Sequence, residues 1–340
     1  MKFKIEKKID DYNPDFLLPI WREGLPDLDE RRLNWSYKHN PISPPIVGLL
    51  KRAHDNHVFG CETIFPREFC LGGEVIAGGT TGDFAIKKKF RGLGPALELQ
   101  KYMLELVNNR GLLVAFPNKI AEKVQIRAGF QKIGGIKLYI KPLKGAYLLK
   151  KIKNGHFFLF LAPLVDLILR CRDLGNKTYS DTYTAEEVSE IDHKFDQLWE
   201  EAKGQFSFVG KRDAEYLQWR YLENPYKKFY FFVIKEKRTN KICGYLVYEI
   251  RDNIVFISDL FWNGQQEVFI SLFCHFTKTC NRSGLQAIYF NLFENIKIDG
   301  LLKKNRFIRK DTITTVLVSK KKLLEPYADN ILLTKGDDDF

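Results

Sequence analysis

The pattern of apolar and polar positions between residues 81 and 130 predicts a strand, a helix, a second strand and a second helix. Residues 81–86 predict a strand. Residues 96–107 carry apolar side chains at the spacing of an amphipathic helix. A short apolar run at 112–116 is typical of a buried strand, and a helix follows between 118 and 129. This order predicts an α/β architecture in which the first strand leads directly into a helix.

A basic loop with two glycines joins the first strand to the first helix. It consists of Lys87, Lys88, Lys89, Phe90, Arg91, Gly92, Leu93, Gly94, Pro95 and Ala96. Glycines let backbone N–H groups approach a phosphate, the helix N-terminus adds a positive dipole end, and the cationic side chains supply counter-charge. The sequence has neither a GxGxxG dinucleotide fingerprint nor a GxxxxGK[ST] loop. The loop is therefore a candidate phosphate cradle of another kind, and a plain turn is the alternative.

A nine-residue pattern occurs twice in the chain. Leu-x-Trp-x-Tyr-x-x-Asn-Pro begins at Leu33 and again at Leu217, an offset of 184 residues. Its aromatic members are Trp35, Tyr37, Trp219 and Tyr221. These side chains are candidates for a substrate-binding platform between two domains, and the alternative is that each set pins a helix onto a sheet.

The repeat predicts a tandem of two related α/β domains. We expect them at 1–150 and 179–330, with an apolar linker helix at 151–178 and a flexible tail at 331–340. The apolar segment 156–169 is too short to span a bilayer, which takes about 20 apolar residues. A buried helix that joins the domains is the first interpretation. Because lysines precede the segment, a helix lying on an anionic membrane surface, as a peripheral contact, is the second.

Composition limits the class of protein. A hydrophobic content of 45% over 340 residues is enough for packed cores. The six cysteines lack metal-ligand spacing and the N-terminus lacks an apolar signal core, so we expect reduced cysteines, no metal site and a cytoplasmic protein. The net charge of +12 attracts phosphates, nucleic acid or anionic lipid. No groove of interleaved basic and aromatic residues supports nucleic acid as the partner.

The first half resembles a known family. The pattern Arg91-x-x-Gly94-x-Ala96 after a strand, with Asn118 and Gly129-Phe130 downstream, resembles the acetyl-CoA-binding core of the GCN5-related N-acetyltransferases (GNAT). The doubled aromatic pattern resembles bacterial tandem members of that superfamily, some found with polysaccharide or cell-envelope pathways. The resemblance implies two tandem domains, each with a mixed, mostly antiparallel central sheet flanked by helices. It also implies direct transfer of an acyl group, with acetyl-CoA or another acyl-CoA as co-substrate, to a small-molecule amine such as an amino sugar.

The resemblance further implies a role for each element of the core. Strand 81–86 would splay from strand 112–116, so that the pantetheine arm of the coenzyme enters between them. Backbone groups of Phe84, Ala85 and Ile86 would bind this arm, and the Ile86 N–H would polarise the thioester carbonyl. The loop from Arg91 to Ala96 would hold the pyrophosphate, and Asn118 would reach the pantetheine. The acceptor would lie between the domains, beside the four repeated aromatic residues.

The general base is a choice among several side chains. Asp83 ranks first because it lies in the strand beside the expected thioester. The other candidates are Glu62, Glu74, His54 and His57.

Two features depart from the family pattern. Pro95 removes one N–H donor from the loop. Gln125 occupies the position where the family often has a Tyr that protonates the leaving thiolate. A non-catalytic acyl-CoA-binding or scaffold protein is therefore the alternative function. In the second copy, Glu267 stands where the first has its basic loop, which predicts a domain that binds no coenzyme.

Overall fold

A computed structural model of the chain describes residues 2–9, 14–107, 111–152, 155–174 and 181–338. We call residues 2–152 the first half and residues 181–338 the second half. The strands are β1 (Phe3–Ile9), β2 (Ile46–Arg52), β3 (Val58–Leu71), β4 (Glu74–Ile86), β5 (Leu112–Ala115), β6 (Gln131–Pro142), β7 (Tyr183–Val188), β8 (Phe208–Gly210), β9 (Tyr230–Glu236), β10 (Ile242–Arg251), β11 (Ile254–Trp262), β12 (Ala287–Phe293), β13 (Ile308–Val318) and β14 (Ile331–Leu332).

The helices are α1 (Pro14–Gly24), α2 (Glu30–Arg32), α3 (Leu93–Val107), α4 (Lys119–Ala128), α5 (Gly145–Lys150), α6 (Ala162–Leu174), α7 (His193–Ala202), α8 (Ala214–Leu217), α9 (Gln266–Arg282), α10 (Ile296–Lys304) and α11 (Lys321–Leu324). The aromatic pattern of each half lies on a short π-helical segment, Leu33–Lys38 and Gln218–Leu222. Each segment directly continues a short α-helix, so the repeat in the sequence is also a repeat in the structure.

The strands form one mixed sheet in the order β1-β2-β3-β4-β5-β13-β6-β12-β11-β10-β9-β7, with β8 and β14 beside β3. Neighbours are antiparallel except β4–β5, β11–β12 and β8–β14, which confirms the expected mixed, mostly antiparallel architecture. The halves also exchange strands. Strand β13 of the second half lies between β5 and β6, and β6 of the first half pairs with β12. Two separate sheets, one per half, were implied by the resemblance, whereas the structure joins them through this exchange.

Helices cover both faces of the first-half sheet. On one face, Leu99 and Met103 of α3 and Val124 of α4 pack against apolar side chains of the sheet, including Phe59. On the other face, α1 and the π-helical segment after α2 contribute side chains such as Trp21 to a second cluster. The sheet residues alternate between these two clusters, as period-two strand geometry requires.

The C-terminal residues 331–338 belong to the fold, so the prediction of a flexible tail is wrong for them. Strand β14 pairs with β8, and Asp337 is only 2% exposed. The carboxylate of Asp337 lies between the guanidinium groups of Arg67 and Arg212, both at 2.6 Å. An acidic run predicts solvent exposure only when nothing neutralises it, and the fold supplies two cations here. Residues 339 and 340 lie outside the described residues.

Within the described part of the chain, the predicted linker helix consists of two consecutive helices, a seven-residue 3-10 helix at Gly155–Leu161 followed by the thirteen-residue α6. Residues 153, 154 and 175–178 of the predicted linker lie outside the described residues. One face of α6 packs against α5 while the opposite face is exposed, so the first interpretation, a buried helix, is wrong. No helix in the described ranges is both long enough and apolar enough to cross a membrane.

Candidate functional site

Strands β4 and β5 separate beyond Thr80. They pair in parallel at Gly78–Leu112, Gly79–Leu113 and Thr80–Val114, and the pairing ends there. Residues 81–86 of β4 continue beside β3, but no strand within the described ranges pairs with their other edge. The predicted splaying of strand 81–86 from its neighbour is therefore present, and we call the space between the two strands the first gap.

The backbone of Ile86 faces the first gap. The Lys87 N–H donates to the Phe59 carbonyl of β3 at 2.8 Å. Because N–H groups of successive residues point to opposite edges of a strand, the Ile86 N–H points away from β3 and toward the gap. The Ile86 carbonyl lies on the same edge and accepts a hydrogen bond from Arg91 Nε at 2.9 Å. The Ile86 N–H of β4 therefore points into the first gap, where the resemblance places a thioester carbonyl.

A β-bulge at Asp83 and Phe84 shapes the edge of the first gap. The β3–β4 register shifts between the pairs Cys61–Ala85 and Thr63–Gly82. Asp83 has a φ of +51°, the left-handed region, which Asp tolerates better than most residues. The bulge increases the local twist and helps β4 to diverge from β5.

Asp83 is the centre of a buried hydrogen-bond network and is not placed to act as a base. Arg32 donates to its carboxylate through Nε at 3.2 Å and through Nη2 at 3.1 Å. The Tyr37 hydroxyl donates to Asp83 Oδ2 at 2.7 Å. Burial, and then the Asp83 charge, raise the pKa of Tyr37 well above its usual value, so the phenol keeps its proton and remains a donor. Both carboxylate oxygens are engaged, and the structure does not support the prediction that Asp83 accepts a proton from an amine.

Glu62 is a different kind of carboxyl group. It lies on β3 opposite the bulge, is completely buried, and accepts a hydrogen bond from Gln100 Nε2 of α3 at 2.7 Å. Burial raises its pKa to about 8, although the Gln100 bond acts in the opposite direction. Its other oxygen has no hydrogen-bond partner among the described residues. Glu62 therefore holds a proton at neutral pH and lacks the open path that a base needs to reach a substrate.

The remaining base candidates lie away from the first gap or in a cationic environment. His54 and Glu74 are exposed, and Glu74 begins β4 at the end remote from the gap. His57 lies 3.4 Å from the Lys87 ammonium group. Burial, and then the Lys87 charge, lower the pKa of His57. His57 is thus neutral near the basic loop at pH 7.

The basic loop ends in the first turn of a helix. The sequence predicted a helix from residue 96, whereas α3 begins at Leu93, so Gly94, Pro95 and Ala96 lie inside its first turn. The N–H groups at the start of a helix have no acceptor within that helix, which leaves those of Gly92, Leu93 and Gly94 available to a ligand. Pro95 removes one donor but no helix hydrogen bond, because that position makes none. Gly92 and Gly94 are exposed, and a Cβ atom at Gly94 would meet nothing within 4 Å.

Helix α4 closes the other side of the first gap. Asn118 caps it, since its Oδ1 accepts the N–H groups of Ile120 at 3.0 Å and Ala121 at 2.9 Å. Gln125 is buried and its Nε2 donates to Thr81 Oγ1 at 3.3 Å, across the mouth of the fork. Gln125 Oε1 has no partner among the described residues. The side chain that replaces the family's Tyr therefore reaches the gap and carries an unsatisfied acceptor.

The two repeated tryptophans contact each other and do not form an open platform. Trp35 Nε1 donates to the Trp219 carbonyl at 2.8 Å, and Trp219 Nε1 donates to the Trp35 carbonyl at 3.1 Å. Their rings stack with centroids 5.3 Å apart. Tyr37 and Tyr221 are buried as well. This arrangement does not support the prediction that the four residues form a substrate platform. Trp35 and Trp219 join the two halves, whereas Tyr37 packs within the first half and Tyr221 within the second.

Two clefts lie at the contact between the halves, one on each side of the tryptophan pair. The smaller, of about 30 Å³, is lined by Arg32, Ser36, Asn40, Phe65, Pro66, Arg67, Thr80, Tyr216, Trp219, Arg220, Asp337 and Asp338. Because Thr80 is the last residue of β4 that pairs with β5, this cleft reaches the point where the two strands separate and the first gap begins. The larger, of about 280 Å³, is lined by Arg31, Asn34, Trp35, His39, Glu223 and Pro225.

The arginines of the smaller cleft were missed by sequence reasoning. Arg67 binds Asp337 and donates to the Tyr216 hydroxyl, and Arg220 Nε donates to the Gly336 carbonyl at 3.1 Å. These partners are separated by more than a hundred residues in the chain, so no local pattern could reveal them. The sequence did contain a signal for Asp83, the partner of Arg32. Asp83 and Asp259 each follow a small residue and precede an apolar one, so the two aspartates share a local pattern in the two halves.

The second half has a corresponding gap between β11 and β12. These strands pair from Ile254–Ala287 to Ile257–Phe290 and then separate. Here the chain's own C-terminal segment lies against the separated strands. Thr334 forms a β-bridge with Leu292, and Thr334 Oγ1 donates to Asp259 Oδ1 of β11 at 2.9 Å. We call this filled space the second gap.

Within the described residues there is no group of three or more His, Cys, Asp or Glu side chains that could hold a metal ion.

The fold is that of known acyltransferases. A GCN5-related N-acetyltransferase from Anabaena variabilis superposes with a TM-score of 0.67 at 16% identity, over 93% of this chain and 72% of that one. An N-myristoyltransferase from Saccharomyces cerevisiae with bound myristoyl-CoA gives 0.56 at 10% identity, over 92% and 82%. A tandem GNAT protein from the clavulanic acid biosynthesis pathway gives 0.55 at 10% identity, over 93% and 98%.

No protein-family model and no curated protein matches the sequence. At these low identities the likeness establishes the fold. The chain has the GNAT fold in its tandem arrangement, as the resemblance implied.

Proposed function

We propose that the first half binds an acyl-CoA in the first gap and that the protein transfers the acyl group directly to an amine. The observation that carries this proposal is the unpaired edge of β4, which directs the Ile86 N–H into the gap beside the exposed first turn of α3. The fold shared with a GCN5-related N-acetyltransferase and with an N-myristoyltransferase that has bound myristoyl-CoA supports it.

The residues present fit a coenzyme with a phosphate-bearing end and a peptide-like arm. The free N–H groups of Gly92, Leu93 and Gly94, with the positive end of the α3 dipole, would hold the pyrophosphate. The peptide-like arm would add to the free edge of β4 as an extra strand along residues 84–86, satisfying backbone groups there. Gln125 Oε1, which is buried without a partner among the described residues, would accept a hydrogen bond from the coenzyme where β4 and β5 separate. Asn118 Nδ2 is available to the arm, because only Oδ1 caps α4.

When bound, an acyl-CoA supplies the acyl group as an activated thioester. The Ile86 N–H would donate to the oxygen on which negative charge develops as the amine attacks, a donor worth a few kcal/mol in the transition state. Gln125 can donate an N–H to the leaving sulfur but cannot transfer a proton. Solvent would therefore take up the proton that the amine loses and would protonate the thiolate. We assign no side chain as base, because Asp83 is fully engaged and Glu62 is sealed in the core.

We propose an acetyl group and a small amine, of the amino-sugar or envelope-metabolite kind, as donor and acceptor. The acceptor would approach through the smaller cleft between the halves, since Thr80 joins it to the fork of the first gap. The second half would bind no coenzyme, since its gap is filled and its α9 helix begins with Glu267 in the first turn.

The test is a calorimetric titration of the protein with acetyl-CoA. We expect one site per chain, and we expect Gly94→Asp to weaken binding by about 100-fold through repulsion of the pyrophosphate and loss of phosphate contacts. Because a Cβ at Gly94 meets nothing within 4 Å, the matched control Gly94→Ala should bind like the wild type. Aspartate in a first helical turn stabilises that turn, so the loss cannot come from unfolding.

No binding by the wild type, or equal weakening by Ala and Asp, would contradict the proposal. A non-catalytic acyl-CoA-binding protein is the second candidate, favoured by Gln125 and by the engaged carboxylate of Asp83. It predicts the same titration but no release of free CoA thiol when amine acceptors are added.

A further inference from the structure

The segment after α5 exposes an unusual amount of apolar surface. Phe157 is 79% exposed, Phe160 74%, and Leu164, Leu167 and Ile168 are each 57% exposed. With Phe158, which is half exposed, these side chains form what we call the apolar face. Large apolar side chains that are exposed singly are ordinary, but six within twelve residues mark a surface that contacts something.

The apolar face is presented by a well-anchored helix. Leu164, Leu167 and Ile168 follow the i, i+3, i+4 spacing of one helix face, while Leu169 points inward and is buried. The Gly145 N–H of α5 donates to Asp166 of α6. A Cβ atom at Gly145 would lie 2.6 Å from the Ala162 carbonyl, so the two helices are in close contact. The exposed face is therefore a fixed feature of the fold and not the side of a frayed helix.

Positive charge surrounds the apolar face. Lys150, Lys151 and Arg170 are exposed beside it. The sequence of α6 contains two acidic residues, Asp166 and, in its last turn, Asp173. The Asp166 carboxylate accepts the Gly145 N–H of α5. These three exposed cations beside the apolar face attract a negatively charged surface.

The apolar face lies at the same end of the sheet as the opening of the first gap. Strands β5 and β6 are both antiparallel to β13, so they run in the same direction. The first gap opens at the C-terminal ends of β4 and β5, and β6 leads from its own C-terminal end into α5. A surface that binds the apolar face would therefore lie on the side where the coenzyme gap opens.

We propose that the protein docks onto an anionic lipid bilayer through the apolar face, with α6 lying in the plane of the headgroups. The helix is thirteen residues long, too short to span a bilayer, but a short amphipathic helix with aromatic side chains and a cationic rim suits the boundary between headgroups and acyl chains. A protein partner could cover apolar side chains equally well, but the exposed cations Lys150, Lys151 and Arg170 favour a surface of uniform negative charge. This proposal goes beyond the acyltransferase function and does not depend on it.

The test is sedimentation of the full chain with vesicles of phosphatidylcholine containing about one third phosphatidylglycerol. We expect binding that is lost with phosphatidylcholine alone. Lys150→Gln with Lys151→Gln should weaken it by about 30-fold, since each lysine near an anionic surface contributes about 1 kcal/mol. Leu164→Gln with Leu167→Gln should weaken it by at least about tenfold. The matched control, Ile296→Gln with Ile313→Gln, alters exposed apolar residues elsewhere and should bind like the wild type.

Three results would overturn the proposal. The first is that the wild type does not sediment with anionic vesicles. The second is that the leucine variant binds as well as the wild type, which would show that the basic surface alone is responsible. The third is that the wild type is a dimer by light scattering, does not bind vesicles, and becomes a monomer in the leucine variant, which would assign the apolar face to a second copy of the chain. Vesicle binding needs no acyl-CoA, so failure here leaves the coenzyme titration unaffected.

Discussion

The first and second gaps are built on the same framework. Each lies between parallel strands that separate after a few residues, and each has a buried Arg–Asp pair beside a bulge in the strand that diverges. Arg32 binds Asp83 in the first half, and Arg212 binds Asp259 in the second. At the common offset of 184 residues, the fully buried Glu62 of the first half corresponds to the equally buried Leu246 of the second.

The two gaps differ in what lies against the free edge of the strand. Residues 333–337 of the chain itself lie against the second gap, whereas no described segment pairs with the edge of residues 81–86 that faces away from β3. The helix that follows the first gap begins after a basic glycine loop, while α9 carries Glu267 in its first turn. A duplicated fold can therefore keep the same framework in both halves while only one half is suited to an anionic ligand. The framework depends on the buried Arg–Asp pairs, whereas a ligand site depends on the charge of the loop and on unpaired backbone groups.

The largest effect should come from the two aspartates of the framework. Asp83→Asn should lower the free energy of unfolding by about 3–5 kcal/mol, because Arg32 loses the charge that balances it in a buried site. Asp259→Asn should cost less, since Arg212 keeps Asp337 as a second carboxylate at 2.6 Å. Urea denaturation of both variants measures the difference. An Asp83→Asn variant with unchanged stability but no transfer activity would restore Asp83 as the general base.

The next effect tests Glu62 against its counterpart Leu246. The folded state raises the pKa of Glu62 from 4.5 to about 8, so it binds the proton more tightly than the unfolded state does. Its contribution is complete below pH 4.5 and is lost as the pH rises toward 8, by up to about 1.4 kcal/mol per pH unit. Wild type minus Glu62→Gln should therefore show a difference in unfolding free energy that changes by roughly 2–3 kcal/mol between about pH 5 and 7. Parallel pH profiles for the two proteins would contradict the buried carboxyl group.

A smaller effect should follow from breaking the symmetric tryptophan contact. Trp35→Phe and Trp219→Phe each remove one indole N–H that donates to the opposite backbone carbonyl. Each should cost about 1–2 kcal/mol, and the two costs should be similar because the contacts are reciprocal. Thermal unfolding of the single and double variants would measure both. If one variant lost binding of an amine acceptor without a loss of stability, that tryptophan would belong to the acceptor site after all.

The smallest effect concerns the second gap. Glu267→Lys gives α9 a basic first turn, but the gap beside it remains filled by the chain. We expect calorimetry to find one acetyl-CoA per chain in this variant, as in the wild type. A second binding event would show that charge, and not the bound C-terminal segment, prevents the second half from taking a coenzyme.

The sequence by itself determined the local units of this protein. The predicted strand 81–86, helix 96–107 and strand 112–116 correspond to the end of β4, to α3 and to β5. The aromatic repeat marked two related halves correctly, because a repeated local pattern folds into a repeated local structure. The glycine loop was identifiable for the same reason, since its backbone freedom and charge are contained in consecutive residues.

Only the tertiary structure decided which of these residues are free to meet a ligand. Asp83 is 51 residues from Arg32, Trp35 is 184 from Trp219, and Asp337 is 270 from Arg67. The exchange of β6 and β13 joins strands that are equally remote along the chain. Whether a charged or aromatic side chain is buried as a partner or exposed as a site depends on what the fold brings against it, and a pattern of consecutive residues contains no information about partners at that distance.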